Sequence, residues 1–299
     1  MKKFVFFLLK IIGLALVTLI ALDALYTAVY THSPVKRNKI SYLYNSKDLN
    51  YDVVFLGSSR VNNHFVPEVF NKAGLKSYNF GLTRSRLEES ALMLELMIER
   101  NYHIKTLILQ VDLNINTNDH SEAIRSLFMP YLHQSATIRD YYQNIAEYPY
   151  LLYIPFYRYM HYDARTGFRE MWKTMKQEPT NQLDHDGFYP LLQNQHPLVP
   201  ADLKKYSPKR NLAYEKIKKL CTAHGIRLIA MTTPICTETI NREYFDQIKK
   251  VYPEILNFEN AVTEDKYFST CGHMNKDGAY KFTEVVLERL FKPQSNLEK

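Results

Sequence analysis

Cysteine is scarce in this chain of 299 residues: Cys221, Cys236 and Cys271 are the only three. They have no zinc-ligand spacing and are too few for a disulfide-dense scaffold, and an odd count permits at most one internal bridge. Cys236 follows a predicted strand end and Cys271 lies two residues before His273. A bridge between that pair and three free buried thiols are both open readings. Excess charge is scarce too, once its position is considered. The formal net charge is +7, yet Lys2, Lys3, Lys10, Lys36, Arg37 and Lys39 stand against Asp23 alone in the first 40 residues. The rest is nearly balanced, so no nucleic-acid partner is expected. Internal repeats and low-complexity tracts are absent, which excludes a repeat array.

The apolar share of 46% is that of a globular protein with a real core. The length suits one large α/β domain with an insertion, or two small domains. At the amino terminus Ile11–Leu22 runs without a charge, Phe4–Leu9 extends it, and Lys10 is long enough to snorkel to an interface. A hydrocarbon core takes about 20 helical residues. A cleaved signal peptide is the rival reading, with Lys2 and Lys3 as its basic region, but no A-x-A site follows. The expectation is an uncleaved transmembrane signal anchor over 1–32, a polar linker over 33–48, and a body from 49 to 299 exported to the extracytoplasmic side. The membrane is thus the first expected partner.

The body is organised around YDVVFLGSSR at 51–60. Asp52–Leu56 reads as a strand buried on both faces of a parallel sheet, closed by Gly57. Ser58 and Ser59 then fall at its carboxyl end, where open α/β sheets bind ligands. Further strands are predicted at Ser77–Phe80, Thr106–Val111, Ile226–Thr232 and Ile255–Phe258. Helices are predicted at Val66–Lys72, Leu87–Arg100, Asn211–His224, Asn241–Val251 and Lys276–Phe291. Alternation of this kind implies parallel pairing with right-handed crossovers. Residues 115–208 break the rhythm, and Tyr131–Tyr162 alone holds 9 of the 23 tyrosines. Such an insertion either stacks on sugar rings or packs onto the core and the membrane interface. The LDHDG stretch at Leu183–Gly187 lacks a second ligand cluster and reads as a polar turn. No metal and no cofactor is expected.

Four stretches in order, FLGSSR at 55–60, YNFGL at 78–82, QVDLN at 110–114 and CGHMNKDGA at 271–279, resemble the SGNH/GDSL hydrolase superfamily. The nearest likeness is to membrane-anchored members whose first block reads G-S-S-R, several of which act in acylation of extracytoplasmic glycans. The resemblance covers about residues 50–114 and 210–292. It implies a three-layer α/β/α, flavodoxin-like parallel sheet. Ser59 matches the nucleophile, although a serine there also commonly serves as a helix N-cap. Gly81 matches the glycine whose N–H helps bind the oxyanion, although a tight turn would also use it. Asn114 matches the asparagine that supplies a side-chain donor, with Asp112 a competing alignment because G-x-N-D is not present. His273 matches the general base.

The departure lies three residues before that histidine, where the family has aspartate and this chain has Thr270. A Ser–His dyad, a substitute carboxylate from Asp265 or Asp277, and a catalytically silent fold all remain open. Arg60 and Arg84 stand beside the first two blocks, placed either for an anionic substrate or for salt bridges. The function implied is an acyl-ester hydrolase or O-acyltransferase acting on cell-surface polysaccharide, with a glycan or an acylated small molecule as substrate. The alternative is a silent protein that binds glycan or serves polysaccharide-assembly proteins.

Overall fold

The computed structural model describes residues 1–193 and 197–292. Residues 194–196 of the central stretch and 293–299 at the end of the expected body lie outside the described residues. The chain forms two compact units: residues 1–46 with 122–180, and residues 47–121 with 181–299.

In the first unit, α1 spans Lys2–His32 and is long and apolar enough to cross a membrane. Its first half is exposed, whereas Tyr26 and Tyr30 near its end are buried with Tyr159 and Met171. Asp23, the one carboxylate of α1, pairs with the fully buried Arg158 guanidinium at 2.8 Å. Arg158 also donates to Thr27 Oγ1 at 2.8 Å, so the buried charge is both paired and hydrogen-bonded. Residues 33–48, expected as a linker, contain a helix instead: α2, Lys39–Asn45, with Ile40 and Leu43 fully buried. A reciprocal capping box between Asn38 and Ser41 starts it. Ile40, Leu43 and Tyr44 are too few buried apolar residues, in so short a segment, to leave a periodic signal. The tyrosine-rich stretch is a run of short helices, among them Ala136–Tyr142, Tyr148–Tyr153 and Phe168–Met175.

The second unit is a mixed α/β body. β1 (Asn50–Leu56) leads through α3 (Ser59–His64) and α4 (Pro67–Lys72) to β2 (Ser77–Asn79). α5 (Leu87–Glu99) then leads to β3 (His103–Gln110), and the helix Leu212–Ala223 to β4 (Arg227–Met231). The four strands are parallel in the order β2-β1-β3-β4. Ile255–Phe258, expected as a fifth strand, makes only an isolated parallel bridge between Leu256 and Met231. Pro253 stands just before it and cannot donate to a ladder.

One sheet face presents Val53, Phe55, Ile108, Ile229 and Met231 to a core with Phe65, Phe70, Phe282 and Val286, from α3, α4 and the closing helix Lys276–Phe291. Alternation turns Val54, Leu56, Leu107 and Leu109 to the other side, and these too are fully buried. Burial on both faces explains the unbroken apolar runs of the central strands. Parallel pairing sends the carboxyl ends of β1–β4 to one edge.

Candidate active site

Gly57 makes the turn out of β1. Its φ of +149° suits glycine, and a Cβ there would lie 2.6 Å from Val61 Cγ2 and 2.8 Å from Gln110 Oε1. The N-cap of α3 is Ser58, so Ser59 is not spent on capping. Ser58 donates from both its N–H and its Oγ to Gln110 Oε1, at 2.9 and 2.8 Å. The turn that carries Ser59 is thereby tied to the end of β3.

Ser59 Oγ lies 2.8 Å from His273 Nε2. His273 begins a two-residue strand paired antiparallel with Phe268–Thr270, in which Thr270 stands opposite it. Thr270 Oγ1 is 3.2 Å from His273 Nδ1. If Nδ1–H donates to that oxygen, Nε2 keeps the lone pair that a serine proton needs. Thr270 thus occupies the orienting position with a neutral acceptor. Neither Asp265 nor Asp277, weighed above as substitutes, is the partner of Nδ1.

Two further contacts fix the histidine. The Met274 N–H donates to Nε2 of His64, a fully buried residue at the end of α3, at 3.0 Å. The Cys236–Cys271 disulfide ties the approach to His273 to the segment after β4. Of the two readings open for these cysteines, the bridge is the one observed, and Cys221 is free and buried.

Of the residues singled out by sequence, Ser59, His273 and Asn114 line one cleft of about 510 Å³. Asn114 Nδ2 is buried with no hydrogen-bond partner among the described residues, an orphan donor of the kind an oxyanion would satisfy. As first residue of α3, Ser59 has an N–H without an i−4 acceptor in the helix. Gly81 is placed differently: it does not line the cleft, and its N–H donates to Asn79 Oδ1 at 2.9 Å. A Cβ on Gly81 would sit 2.4 Å from Asn62 N. Close packing of β2's exit against α3 therefore accounts for this glycine, and the engaged N–H takes it out of the oxyanion set.

Asp112, the competing alignment, is fully buried and saturated. It accepts from Thr233 N and Oγ1 at 2.7 Å each, from Gln110 Nε2 at 2.9 Å and from Arg60 NH1 at 3.2 Å. Gln110 and Asp112 thus form a hydrogen-bonded floor under the turn that carries Ser59. Sequence reading passed over Gln110 and His64, although a polar side chain closing an apolar strand was a usable signal. LDHDG forms a tight turn, with His185 and Asp186 in left-handed backbone. A larger cleft of about 630 Å³ opens at the amino-terminal edge of the sheet, but no serine, threonine or cysteine lines it.

Burial, and after it the nearby Arg60 guanidinium, push the His273 pKa down to about 4. Burial first, with Arg60 and His273 adding, also holds His64 well below its ordinary 6.5. The base must be neutral to take a proton, so Ser59 reactivity should be level through neutral pH and fall only near pH 4. Both folded-state values lie below the unfolded 6.5. The unfolded chain therefore gains protons first, and stability present above 6.5 is lost as pH falls toward 4. A pH series of probe labelling, with melting curves on the same samples, checks both. Half-maximal labelling near 6.5 would contradict the burial of His273.

No family model matches the chain, and no curated protein matches it. Among solved structures it is similar to a Streptococcus pneumonia chain provisionally described as a platelet activating factor. The identity is 10%, with 95% of this chain and 99% of that chain covered and a TM-score of 0.37. A likeness that low carries no argument about fold or activity.

Proposed function

We propose that the chain is an acyl-ester hydrolase or O-acyltransferase working through Ser59 and His273. The observation that carries the reading is the 2.8 Å approach of Ser59 Oγ to His273 Nε2, with Thr270 behind the ring. In this reading Ser59 Oγ attacks the acyl carbonyl while its proton passes to His273 Nε2. The oxyanion is held by the Ser59 N–H and Asn114 Nδ2. Collapse expels the alcohol, which leaves with the proton from His273. Water, or a sugar hydroxyl, then gives a proton to the same nitrogen and takes the acyl group from Ser59, whose Oγ recovers that proton from His273 as the acyl bond breaks. The two enzymes differ only in that acceptor.

The SGNH-type, flavodoxin-like layering belongs to the same proposal, and the order β2-β1-β3-β4 supports it. So does the proposal of a single-pass anchor with an extracytoplasmic body near cell-surface polysaccharide: a disulfide between Cys236 and Cys271 fits an oxidising compartment. Thr270 in place of aspartate favours the second reading, a silent glycan-binding or assembly protein.

The full chain in detergent, treated with a fluorophosphonate probe and with p-nitrophenyl butyrate, separates them. The expected result is covalent label on Ser59, turnover of the ester, and loss of both in Ser59→Ala. A folded protein that takes no label and turns over no ester would leave the silent reading.

A further inference from the structure

The cleft around Ser59 is unevenly charged. Arg60, Arg84, Arg86 and Lys205 line it against two carboxylates, Asp112 and Asp202. Both carboxylates are already engaged inside the protein. Asp112 is saturated as described, and Asp202 Oδ1 accepts from the Lys204 N–H at 2.8 Å and from Asn241 Nδ2 at 2.6 Å. Two of the cations are answered as well, Arg60 by Asp112 and Arg86 by Asp119 at 3.3 Å. Arg84 and Lys205 have no carboxylate within ion-pair distance among the described residues. Neutral donors leave Asp202 its charge, so across Arg84, Lys205 and Asp202 the cleft carries a net surplus of one positive charge, with neither cation in an ion pair.

The backbone holds one of them there at a cost. Arg84 has a φ of +70°, a left-handed conformation that a long side chain seldom adopts. Such strain persists only where its surroundings impose it. Here Ser121 Oγ donates to the Arg84 carbonyl at 2.7 Å, and Ser85 N–H donates to the Leu82 carbonyl at 3.0 Å. Ser85 Oγ donates to the Gly57 carbonyl at 2.9 Å, on the glycine that turns the chain toward Ser59. The loop bearing Arg84 is thus fastened to the nucleophile's own turn.

We infer that the cleft selects an anionic ester, one whose acyl or alcohol part carries a carboxylate-like group that Arg84, with Lys205, reads beside the reacting carbonyl. The inference rests on the ester reading above and narrows it to a substrate class. A neutral short-chain ester lacks the group that this pair of cations would hold. A planar guanidinium is also the side chain best matched to a carboxylate's two oxygens.

Two matched pairs of esters test it on the full chain in detergent. Mono-p-nitrophenyl succinate against p-nitrophenyl butyrate places the charge on the acyl side; p-acetoxybenzoate against its methyl ester places it on the alcohol side. In at least one pair kcat/KM should favour the anion by about tenfold, a usual scale for a hydrogen bond to a charged group. That ratio should fall toward unity in Arg84→Gln, recover in part in Arg84→Lys, and shrink as salt rises to about 1 M, where charges screen within about 3 Å. Equal rates within both pairs, or a preference that survives Arg84→Gln, overturn the inference while leaving ester chemistry standing. If no ester turns over and Ser59 takes no label, the ester reading fails instead. Saturation-transfer NMR of p-acetoxybenzoate and its methyl ester on Ser59→Ala then decides the charge preference by itself. Arg84-dependent binding of the anion supports it, and equal binding of the two sinks it.

Discussion

His273→Ala should lower the rate of Ser59 acylation by about 10³-fold or more, on the scale of a lost triad base. Among the described residues no other base lies within hydrogen-bond reach of Ser59 Oγ, so the proton has nowhere to go in the attacking step. The double variant Ser59→Ala, His273→Ala should be no slower than either single one, because the two side chains act as a unit. Thr270 sets how far the effect extends. Thr270→Val removes the Nδ1 acceptor at nearly constant volume, and a loss of about tenfold is expected from the poorer tautomer and orientation. That is well below the about 10⁴ known when a charged orienting group is lost. Thr270→Asp should act in the opposite sense, since a carboxylate opposes the Arg60 field and raises the His273 pKa. The acid limb of the rate profile would then move upward from about 4. Burst kinetics on a nitrophenyl ester, across pH, measure all four variants. Unchanged turnover in His273→Ala would remove the base from the mechanism.

The second large effect is on folding. Asp112→Ala should cost about 3–5 kcal/mol, the range found when one partner of a buried ion pair is removed. Arg60 is 6% exposed and Asp112 is fully buried, so the guanidinium left behind is poorly solvated without its carboxylate. Thr233 N–H and Gln110 Nε2 lose the same acceptor. The loss should spread to the site, since Gln110 also holds both donors of Ser58. Asp112→Asn keeps an acceptor oxygen and should cost less. Adding Arg60→Met to Asp112→Ala should restore part of the stability, because no charge is then stranded. Thermal unfolding in detergent, read by circular dichroism, ranks the variants. An Asp112→Ala protein that melts with wild type would show that the network carries no stability.

Several features were legible in the chain because they are local. Apolar runs bounded by glycine marked β1 and β4, a similar run after a short turn marked β3, and the 3.6-residue spacing of Leu87, Ala91, Leu94 and Ile98 marked α5. The helix α1 was legible for the same reason, from the uncharged run Ile11–Leu22 within it. Ser59 and His273 were singled out by motif order, and Asn114 came with them. Segments whose register is fixed by partners far along the chain were not legible. α2 is held by burial against the rest of its unit, and Ile255–Phe258 makes a bridge rather than a ladder. Gly81 was misread because a glycine's sequence does not say whether its N–H or its missing Cβ is what matters.

By itself the sequence determined where strands and helices can form, since side-chain periodicity and turn residues act over a few positions. It also determined that a membrane-length apolar helix precedes a body with little net charge. Tertiary structure alone decided that Ser59 and His273, 214 positions apart, lie within one hydrogen bond of each other. It also decided that Asp112 is spent on Arg60 while Arg84 is left unbalanced in the cleft. Parallel strands bring distant carboxyl ends to one edge, and which side chains then meet depends on packing that no local pattern records.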